Sequence, residues 1–358
     1  MRALLKRIIT KEQVEQLRMR LEQFDRFILP FFVKSRFLSS FYYCFFSRRF
    51  AREHQSVLKG RIQYYANSDA PENSSVLLRR NIHRLEKGII MRPQRATFAE
   101  GYIGETVAQF NKCFRAKRLN GEEEKWAKEV LLRYFALVGE SDIINAARRE
   151  FFDAMADQQN CDKNLASVPY AHKDIVRADI SFEQFKQLCV QRRSVRWFQD
   201  KPVPRELIDN ALNAATLAPS ACNRQPFEFY LFNEPEQAQK VGAIPMGTAG
   251  FSHNFQSVVV VVGDLAAYPY ERDRHVIYID GSLAAMQFML ALETQGLGSC
   301  VINWPDVEQL EKKMSKLLKL SHNQRPLMVI SLGYADPEGK IPFSQKKSAK
   351  ELIKEVSL

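Results

Sequence analysis

The chain of 358 residues is 46% hydrophobic and carries a formal net charge of +11 at pH 7. Such a length exceeds a typical single core, so we expect two structural regions. The six cysteines form no close pair, which argues against a disulfide framework, a zinc ribbon and a thioredoxin-type motif and favours reduced thiols. They are Cys44, Cys113, Cys161, Cys189, Cys222 and Cys300.

Positive charge is concentrated in the first sixty residues, which hold 13 Lys/Arg against 5 Asp/Glu. The opening MRALLKRIIT has no apolar run of signal-peptide length, so no secretory signal is expected. Residues 27–46 are aromatic, but Pro30, Lys34 and Arg36 interrupt them, so no transmembrane helix is predicted. For residues 27–50 the favoured interpretation is core helix packing; peripheral binding to an anionic membrane surface is the alternative, and nucleic acid ranks below both.

Apolar residues up to about position 156 recur with helical spacing. Two such stripes are Ile103, Val107, Phe110 and Phe114, followed by Trp126, Val130, Tyr134 and Val138, which Gly139 closes. A basic cluster at residues 79–95 places Arg80, Arg84 and Lys87 on one helical face. A solvated face over an inward-packed apolar stripe is favoured, with an anionic substrate or polymer as the alternative.

Residues 157–175 are polar and without periodicity, which is typical of a linker. We therefore expect a helical basic region of unknown function over 1–170 and a second domain over 180–358. Ser181 and Gln184 predict a capping box, and Pro202 and Pro204 precede another helix. Four β-rich runs lie at 227–232, 257–263, 299–303 and 327–333. The fold class predicted for the second domain is α+β.

One helix should be buried, with a second subunit as one candidate for the covering surface. It runs from Asp280 to Thr294, is apolar nearly all round and stops before Gly296. No internal repeat is evident.

Three local features are candidates for cofactor chemistry. The first comprises Arg192, Arg193, Ser194 and Arg196, whose guanidinium groups suit phosphate. The second is the polar loop at 217–227, whose hydroxyl, amide and backbone groups suit the edge of a heterocycle. The third is the lysine pair Lys346 and Lys347. Each alone is more often ordinary surface, and only their order along the chain favours a site.

The segment RRSVRWFQDKPVPRELIDNALNAATLAPSACNRQPFEFYLF closely resembles the opening of the nitroreductase family of flavoproteins. Two later segments continue the match: the helix and turn DGSLAAMQFMLALETQGLGSC, and LGYAD followed by PFSQKKSAKELI. The resemblance covers about half of the chain. It implies a central mixed sheet flanked by helices, here preceded by a mostly α-helical region.

The resemblance also implies an FMN cofactor, with NADH or NADPH as electron donor, and a homodimer with FMN at the subunit interface. It assigns Arg192, Arg193, Ser194 and Arg196 to the flavin phosphate, ribityl chain and pyrimidine edge, and Lys346 and Lys347 to the phosphate. A cation such as Arg196 would also favour the reduced flavin. Pro219, Ser220 and Asn223 would approach from the partner subunit, and Ile302 and Asn303 complete the set.

Two segments depart from the family pattern. Residues 301–305 replace the glycines or acidic residue that many relatives carry beside the flavin, and Trp304 is expected to reshape the substrate side. Residues 242–254 match poorly, and their glycines suggest a flexible lid. No metal-ligand spacing, serine-hydrolase elbow or acid–base pair is recognisable, so no catalytic side chain and no metal are assigned.

Three functions follow. The first is an FMN-dependent oxidoreductase that uses NAD(P)H to reduce a small organic substrate by two-electron transfer. The second keeps the flavin and changes the chemistry to dehalogenation, azoline oxidation or flavin breakdown. The third is a non-catalytic or specialised flavoprotein whose basic helical half docks on a membrane, a polyanion or an envelope-polymer assembly. The expected location is the cytoplasm, with the inner face of a membrane as the alternative.

Overall fold

The structure is a computed structural model that describes residues 11–70, 74–156 and 165–357. The chain forms two compact units, Met1–Ser56 and Val57–Leu358. Part of the predicted linker, residues 157–164 with Cys161, lies outside the described residues.

The first unit is built from helices α1 (Lys11–Phe32) and α2 (Arg36–Phe45) and the beginning of α3 (Ala51–Asp69). Ser35 caps α2 by accepting the Leu38 amide at 3.2 Å. The ring of Phe32 packs on those of Tyr42 and Phe46, and the buried Tyr42 hydroxyl bonds to Asp25. The unit thus holds together through a small aromatic contact between α1 and α2.

Core packing was the favoured interpretation of residues 27–50, and it is wrong for much of this stripe. Phe27, Phe37 and Phe45 are 82%, 76% and 70% exposed. Two helices that pack as a pair each bury only the face turned to the other, so the remaining aromatic side chains lie outside the contact.

The second unit continues with a helical layer and then an α+β layer. Its helices before the sheet are α4 (Val76–Ile89), α5 (Ile103–Arg115), α6 (Gly121–Leu137), α7 (Asp142–Ala154), α8 (Phe182–Gln191) and α9 (Arg205–Ala215). The strands are β1 (Phe227–Phe232), β2 (Ser257–Asp264), β3 (Gly298–Asn303) and β4 (Gln324–Gly333). The remaining helices are α10 (Pro235–Gly242), α11 (Val276–Thr294), α12 (Glu308–Leu318) and α13 (Ala349–Leu352).

The sheet has the order β1-β2-β4-β3, and each pair of neighbouring strands is antiparallel. A parallel component comes from one isolated bridge, between Ser194 and Ser299. Alternate valines of the buried strand β2 face opposite sides: Val259 and Val261 pack towards α9 and α11, and Val260 towards α10 and α12. The α+β class is confirmed.

Several local predictions are confirmed. The Ser181–Gln184 capping box is present, α9 begins directly after Pro204, and the four predicted runs are β1 to β4. Helix α11 starts at Val276, about one turn before the predicted Asp280. By length and composition one described helix, Glu271–Thr294, resembles a membrane span, but its buried residues pack under the sheet.

A separate apolar core fills the helical layer. It is formed by side chains from α4 to α7, among them Leu78, Ile82, Phe110, Tyr134 and Phe151. The inward-packed stripe predicted for α4 is therefore confirmed.

The boundary between the two compact units falls after Ser56, well before the predicted boundary at 157–175. Side chains of α3 explain the difference, because Val57 belongs to the core under the sheet. The Arg61 guanidinium also donates to the Pro269 carbonyl at 3.0 Å. A helical region with its own core thus shares a compact unit with the α+β layer.

Candidate functional site

The arginine loop, residues 192–196, lies along the edge strand β3. The Val195 amide donates to the Ser299 carbonyl at 3.0 Å, beside the parallel bridge between Ser194 and Ser299. A Cβ built on Gly298 would stand 2.8 Å from the Val195 side chain, so this approach requires glycine. The strand thereby fixes the predicted cofactor-binding residues Arg192, Ser194 and Arg196 in one short segment.

Two buried polar atoms, one in the arginine loop and one in β3, have no hydrogen-bond partner among the described residues. Within the described part of the chain, neither Arg192 Nε nor Ser299 Oγ makes a hydrogen bond. A buried donor left unpaired costs about 1–3 kcal/mol. A ligand with anionic or polar oxygens would offset that cost, so the residues present fit the phosphate-bearing cofactor implied by the resemblance.

Arg196 is held from the side of segment 242–254. Asn254 donates through Nδ2 to the Arg196 carbonyl at 3.0 Å and accepts the Phe198 amide at 2.9 Å. The Arg196 guanidinium lies 5.7 Å from the ring of Phe251. At its C-terminal end the predicted lid is therefore bonded to the arginine loop.

The thiol of Cys300 lies under the arginine loop. Burial raises the pKa of this thiol, while Arg196, a hydrogen bond with Ser194, and Arg192 act in the opposite direction. The net upward direction of the pKa favours the neutral thiol, which suits a packing role better than nucleophilic attack.

Arg193 has a different environment from its neighbours. Its Nη2 donates to the Pro342 carbonyl at 2.7 Å and also to the carbonyl of Phe343. These bonds bring the C-terminal segment against the arginine loop a few residues before Lys346 and Lys347, which are exposed. Arg193 thus secures the segment that carries the two lysines.

Within the polar loop at 217–227, residues 219–225 have a strained backbone and are here termed the 219–225 loop. Cys222, Asn223 and Gln225 have φ values of 54°, 53° and 49°, in the left-handed region. This region costs an L-residue roughly 1–2 kcal/mol. Ser220 accepts the Gln225 amide through its hydroxyl at 3.1 Å, which closes the turn from within. Pro219 is exposed at its start.

Residues far away in the sequence also hold this loop. Arg79 of α4 donates to the Asn223 carbonyl at 3.0 Å and to Gln225 Oε1 at 3.1 Å, and it pairs with Glu123 at 3.1 Å. On the other side, buried Asp280 of α11 accepts the Ala221 amide at 2.9 Å.

A buried polar cluster lies beneath the loop. The Tyr268 hydroxyl donates to Asp280 Oδ2 at 3.3 Å, and the Arg224 guanidinium stands 5.0 Å from the Tyr268 ring. Burial raises the pKa of Asp280, against the lowering effects of Ala221, Tyr268 and Arg224.

The end of β3 differs from expectation at Trp304. Ile302 is buried in the core between sheet and helices, and Asn303 is exposed beside it. Trp304 is 8% exposed, and its indole N–H donates to Glu311 Oε1 at 2.7 Å. The expectation that Trp304 reshapes the substrate side is therefore wrong, because the indole needs a buried acceptor and finds it in α12.

The predicted residues form two groups. The first contains Arg192, Ser194 and Arg196, and Arg193 binds the C-terminal segment just before Lys346 and Lys347. The second contains Pro219, Ser220 and Asn223. Among the residues that the structure describes, no hydrogen bond or ion pair joins the arginine loop to the 219–225 loop.

The sequence pattern indicates no role at this site for Asn254, Asp280 or Arg79. Each acts through a contact distant in sequence, so no local pattern points to Asn254 or Arg79. Asp280, a carboxylate within a buried helix, is the one signal that could have pointed to a contact, since a buried carboxylate requires a partner.

Comparison with known proteins identifies relatives of the second unit. A model of the nitroreductase family matches residues 189–249 and 246–334. A protein from Archaeoglobus fulgidus, named as an NADH dehydrogenase/NAD(P)H nitroreductase, is 32% identical over 159 residues, which are 44% of this chain and 88% of the relative. Iodotyrosine deiodinase 1 of Sus scrofa is 25% identical over 228 residues, 54% of this chain and 77% of the relative.

Solved structures are similar over the same part. An FMN-dependent nitroreductase from Clostridium difficile R20291 is 28% identical, with 44% of this chain and 91% of that chain covered and a TM-score of 0.38. A nitroreductase from Desulfovibrio desulfuricans in complex with FMN is 21% identical, with 48% and 96% covered and a TM-score of 0.41.

Proposed function

This chain belongs to the nitroreductase family, and on that basis we propose that it is an FMN-dependent oxidoreductase that uses NAD(P)H to reduce a small organic substrate. The observation that carries the proposal is the pair of buried, unpartnered atoms Arg192 Nε and Ser299 Oγ in the arginine loop and β3. An anionic cofactor would provide the acceptors that this segment lacks.

The chain's own residues would bind and orient the cofactor. Arg192 and the exposed Lys346 and Lys347 provide cations for the phosphate, and Ser194 provides a hydroxyl. Arg196, fixed by Asn254, provides a positive charge for the flavin ring. FMN, when bound, would supply the two-electron redox chemistry between NAD(P)H and the substrate.

A homodimer would complete the site. Helix α11 exposes Ile279, Leu283 and Met286 at helical spacing, with exposed fractions of 57%, 43% and 39%. Such an apolar stripe on a core helix favours a subunit interface. Pro219, Ser220 and Asn223 would then contribute to the partner's flavin site, with their strained loop fixed in advance by Arg79 and Asp280.

Steady-state turnover tests the reductase activity. With FMN-loaded protein, NADH and NADPH are each offered with 4-nitrobenzoate or menadione as acceptor, under anaerobic conditions. We expect at least one nucleotide to support acceptor reduction. Arg205→Ala, an exposed substitution outside the site, should leave the rate unchanged. Flavin that neither nucleotide reduces would contradict the proposed activity.

A second chemistry has support from one group of relatives. Iodotyrosine deiodinase 1 from several mammals is similar to this chain, and the pig protein matches over 228 residues. A reductive dehalogenase would use the same bound cofactor and a halogenated aromatic substrate. Release of iodide from 3-iodotyrosine by the reduced protein, at a rate above that of nitroaromatic reduction, would select this alternative.

We also propose that the first unit binds to an anionic membrane surface. Between residues 26 and 52 the sequence has six Lys/Arg and no Asp/Glu. The same segment exposes Phe27, Phe37 and Phe45. Exposed aromatic side chains beside cations suit the interface of a bilayer with acidic lipids, as found on the cytoplasmic leaflet.

Vesicle flotation of the full chain tests this attachment. We expect binding to phosphatidylcholine vesicles that contain phosphatidylserine, little binding to pure phosphatidylcholine, and loss of binding in Phe37→Ser/Phe45→Ser. The control is Phe182→Ser, because Phe182 is equally exposed at 71% but lies in α8. Equal binding by both variants would exclude the first unit as the membrane contact, and binding to heparin alone would favour a polyanion.

A further inference from the structure

A cleft in the helical layer lies apart from both candidate flavin loops. It has a volume of about 340 Å³, and it opens between the end of α4 and the beginning of α5. Its lining, here termed the basic cleft, consists of Arg84, Lys87, Gly88, Met91, Arg95, Phe98, Ala99 and Tyr102. None of these residues belongs to the arginine loop, the 219–225 loop or the C-terminal segment.

The floor of the basic cleft is closely packed. A Cβ on Gly88 would stand 2.2 Å from the Phe98 ring, so the glycine allows this ring to lie directly on α4. The Phe98 carbonyl accepts the Tyr134 hydroxyl at 2.7 Å, and the two rings meet edge to face with centroids 5.1 Å apart. The aromatic surface is therefore fixed to the core of the helical layer.

Three cations line this cleft without carboxylate partners. Within the described residues, Arg84, Lys87 and Arg95 form no ion pair. The Arg84 guanidinium stands 3.6 Å from the centroid of Tyr102 and reaches Asn81 Oδ1 at 3.4 Å. A guanidinium stacked on a ring keeps its edge available for an acceptor.

The neighbouring carboxylate is already engaged elsewhere. Glu86 accepts the Trp126 indole N–H at 2.9 Å and contacts His83 at 3.2 Å. Glu86 is thus engaged by Trp126 and His83 rather than by a cation of the cleft, and the like charges that line the cleft favour a bound anion.

We propose that the basic cleft binds a small organic anion, a planar ring that bears a phosphate or carboxylate group. Arg84, Lys87 and Arg95 bind the anionic group, and Met91, Phe98 and Tyr102 contact the ring. The volume lies within the range of small-molecule sites, which combine apolar walls with few polar groups. The inference is independent of the flavin site, so either can fail without the other.

Calorimetric titration of the full chain with phenyl phosphate tests this inference. FMN is kept at saturation so that its own phosphate site is filled. We expect one phenyl phosphate per chain, with affinity that falls as salt rises, and at least tenfold weaker binding of both inorganic phosphate and phenol. Benzoate in place of phenyl phosphate distinguishes a carboxylate site from a phosphate site.

Matched double variants locate the binding. Lys87→Gln/Arg95→Gln removes two exposed cations of the cleft and should weaken phenyl phosphate at least tenfold, with FMN content unchanged. Lys112→Gln/Lys125→Gln makes the same charge change on exposed residues outside the cleft and should leave the affinity unchanged. No binding, equal weakening in both variants, or phenol binding as tightly as phenyl phosphate would overturn the proposal.

Discussion

At the scale of single residues, the two adjacent arginines of the arginine loop differ in their hydrogen-bond partners. Arg192 Nε is buried without an acceptor in the described chain, whereas Arg193 donates to two backbone carbonyls. Adjacent arginines therefore have different tasks: Arg193 fastens the C-terminal segment, and Arg192 remains available for an anion.

Removal of Arg192 should affect the cofactor far more than the fold. A hydrogen bond to a charged group contributes about 1.5–3 kcal/mol, so Arg192→Ala should weaken FMN binding by roughly 10- to 100-fold. Flavin fluorescence titration and the flavin content of the purified protein measure this effect. Arg205→Ala, which removes only an exposed ion pair with Asp209, is the control. Unchanged flavin content in Arg192→Ala would contradict the phosphate role.

The buried carboxyl of Asp280 predicts a dependence of stability on pH. Burial raises its pKa above the ordinary value of 3.8, so the folded state holds the proton more tightly than the unfolded state. Stability from this group is complete below pH 3.8 and declines as pH rises through the folded pKa.

Asp280→Asn should remove that dependence while preserving an acceptor for the Ala221 amide. Relative to this variant, the wild type should lose free energy of unfolding as the pH rises above about 4, and the difference should be constant at lower pH. Thermal unfolding in a pH series measures it, with Asp179→Asn as the exposed control. A difference that stays flat or grows in favour of the wild type would refute the assignment.

Single residues also illustrate what sequence can reveal. The role predicted for Arg192, Ser194 and Arg196 depends on local chemistry and distinctive spacing, both of which the sequence contains. The burial of Trp304 is not, because Glu311 is one helix further along and their bond forms only when α12 packs on the sheet.

At the scale of elements, the loop at 219–225 is strained locally and stabilised from outside. Left-handed φ angles at Cys222 and Gln225 are costly, and hydrogen bonds from α4 and to α11 offset them. The helical layer thus contributes directly to the geometry of a candidate cofactor loop.

Arg79→Gln should loosen this loop. Losing the two bonds to the Asn223 carbonyl and Gln225 should raise the population of open loop about 30-fold, because each bond contributes about 1 kcal/mol. Trypsin cleavage after Arg224, followed by mass spectrometry, reports the opening. Arg115→Gln on the exposed surface of α5 should leave the cleavage rate unchanged. Similar rates in both variants would mean that α4 does not control the loop.

Elements are predictable where their pattern is local. Strands β1 to β4 are short and rich in β-branched or aromatic residues, and the α8 capping box lies within four residues. The limit of the compact unit is not predictable in this way, because it depends on Val57 and Arg61 reaching the α+β layer across about 200 residues of sequence.

At the scale of the whole molecule, the proposed flavin site requires two copies of the chain. Among the described residues no hydrogen bond or ion pair joins the arginine loop to the 219–225 loop, and the exposed stripe on α11 offers a surface through which a second copy would complete the proposed site. The resemblance to the nitroreductase family implies this arrangement, which periodicity alone does not.

A charge in the α11 stripe should disrupt the dimer and the flavin site together. Leu283→Glu would bury an unpaired carboxylate at the interface, so we expect monomers and a loss of most bound FMN. Leu317→Glu, at a similarly exposed leucine of α12, is the matched control. Sedimentation velocity with simultaneous detection of flavin absorbance measures both effects. A dimeric, FMN-loaded Leu283→Glu protein would exclude this surface as the interface.

The proposed function depends above all on FMN binding and on electron exchange through the bound flavin. The most direct measurement is the visible absorbance spectrum of the purified full chain, before and after anaerobic addition of NADH or NADPH, with the released cofactor identified by mass. We predict a flavin spectrum that bleaches with at least one nucleotide and a cofactor with the mass of FMN. A colourless protein that exogenous FMN does not reconstitute would contradict the proposed function.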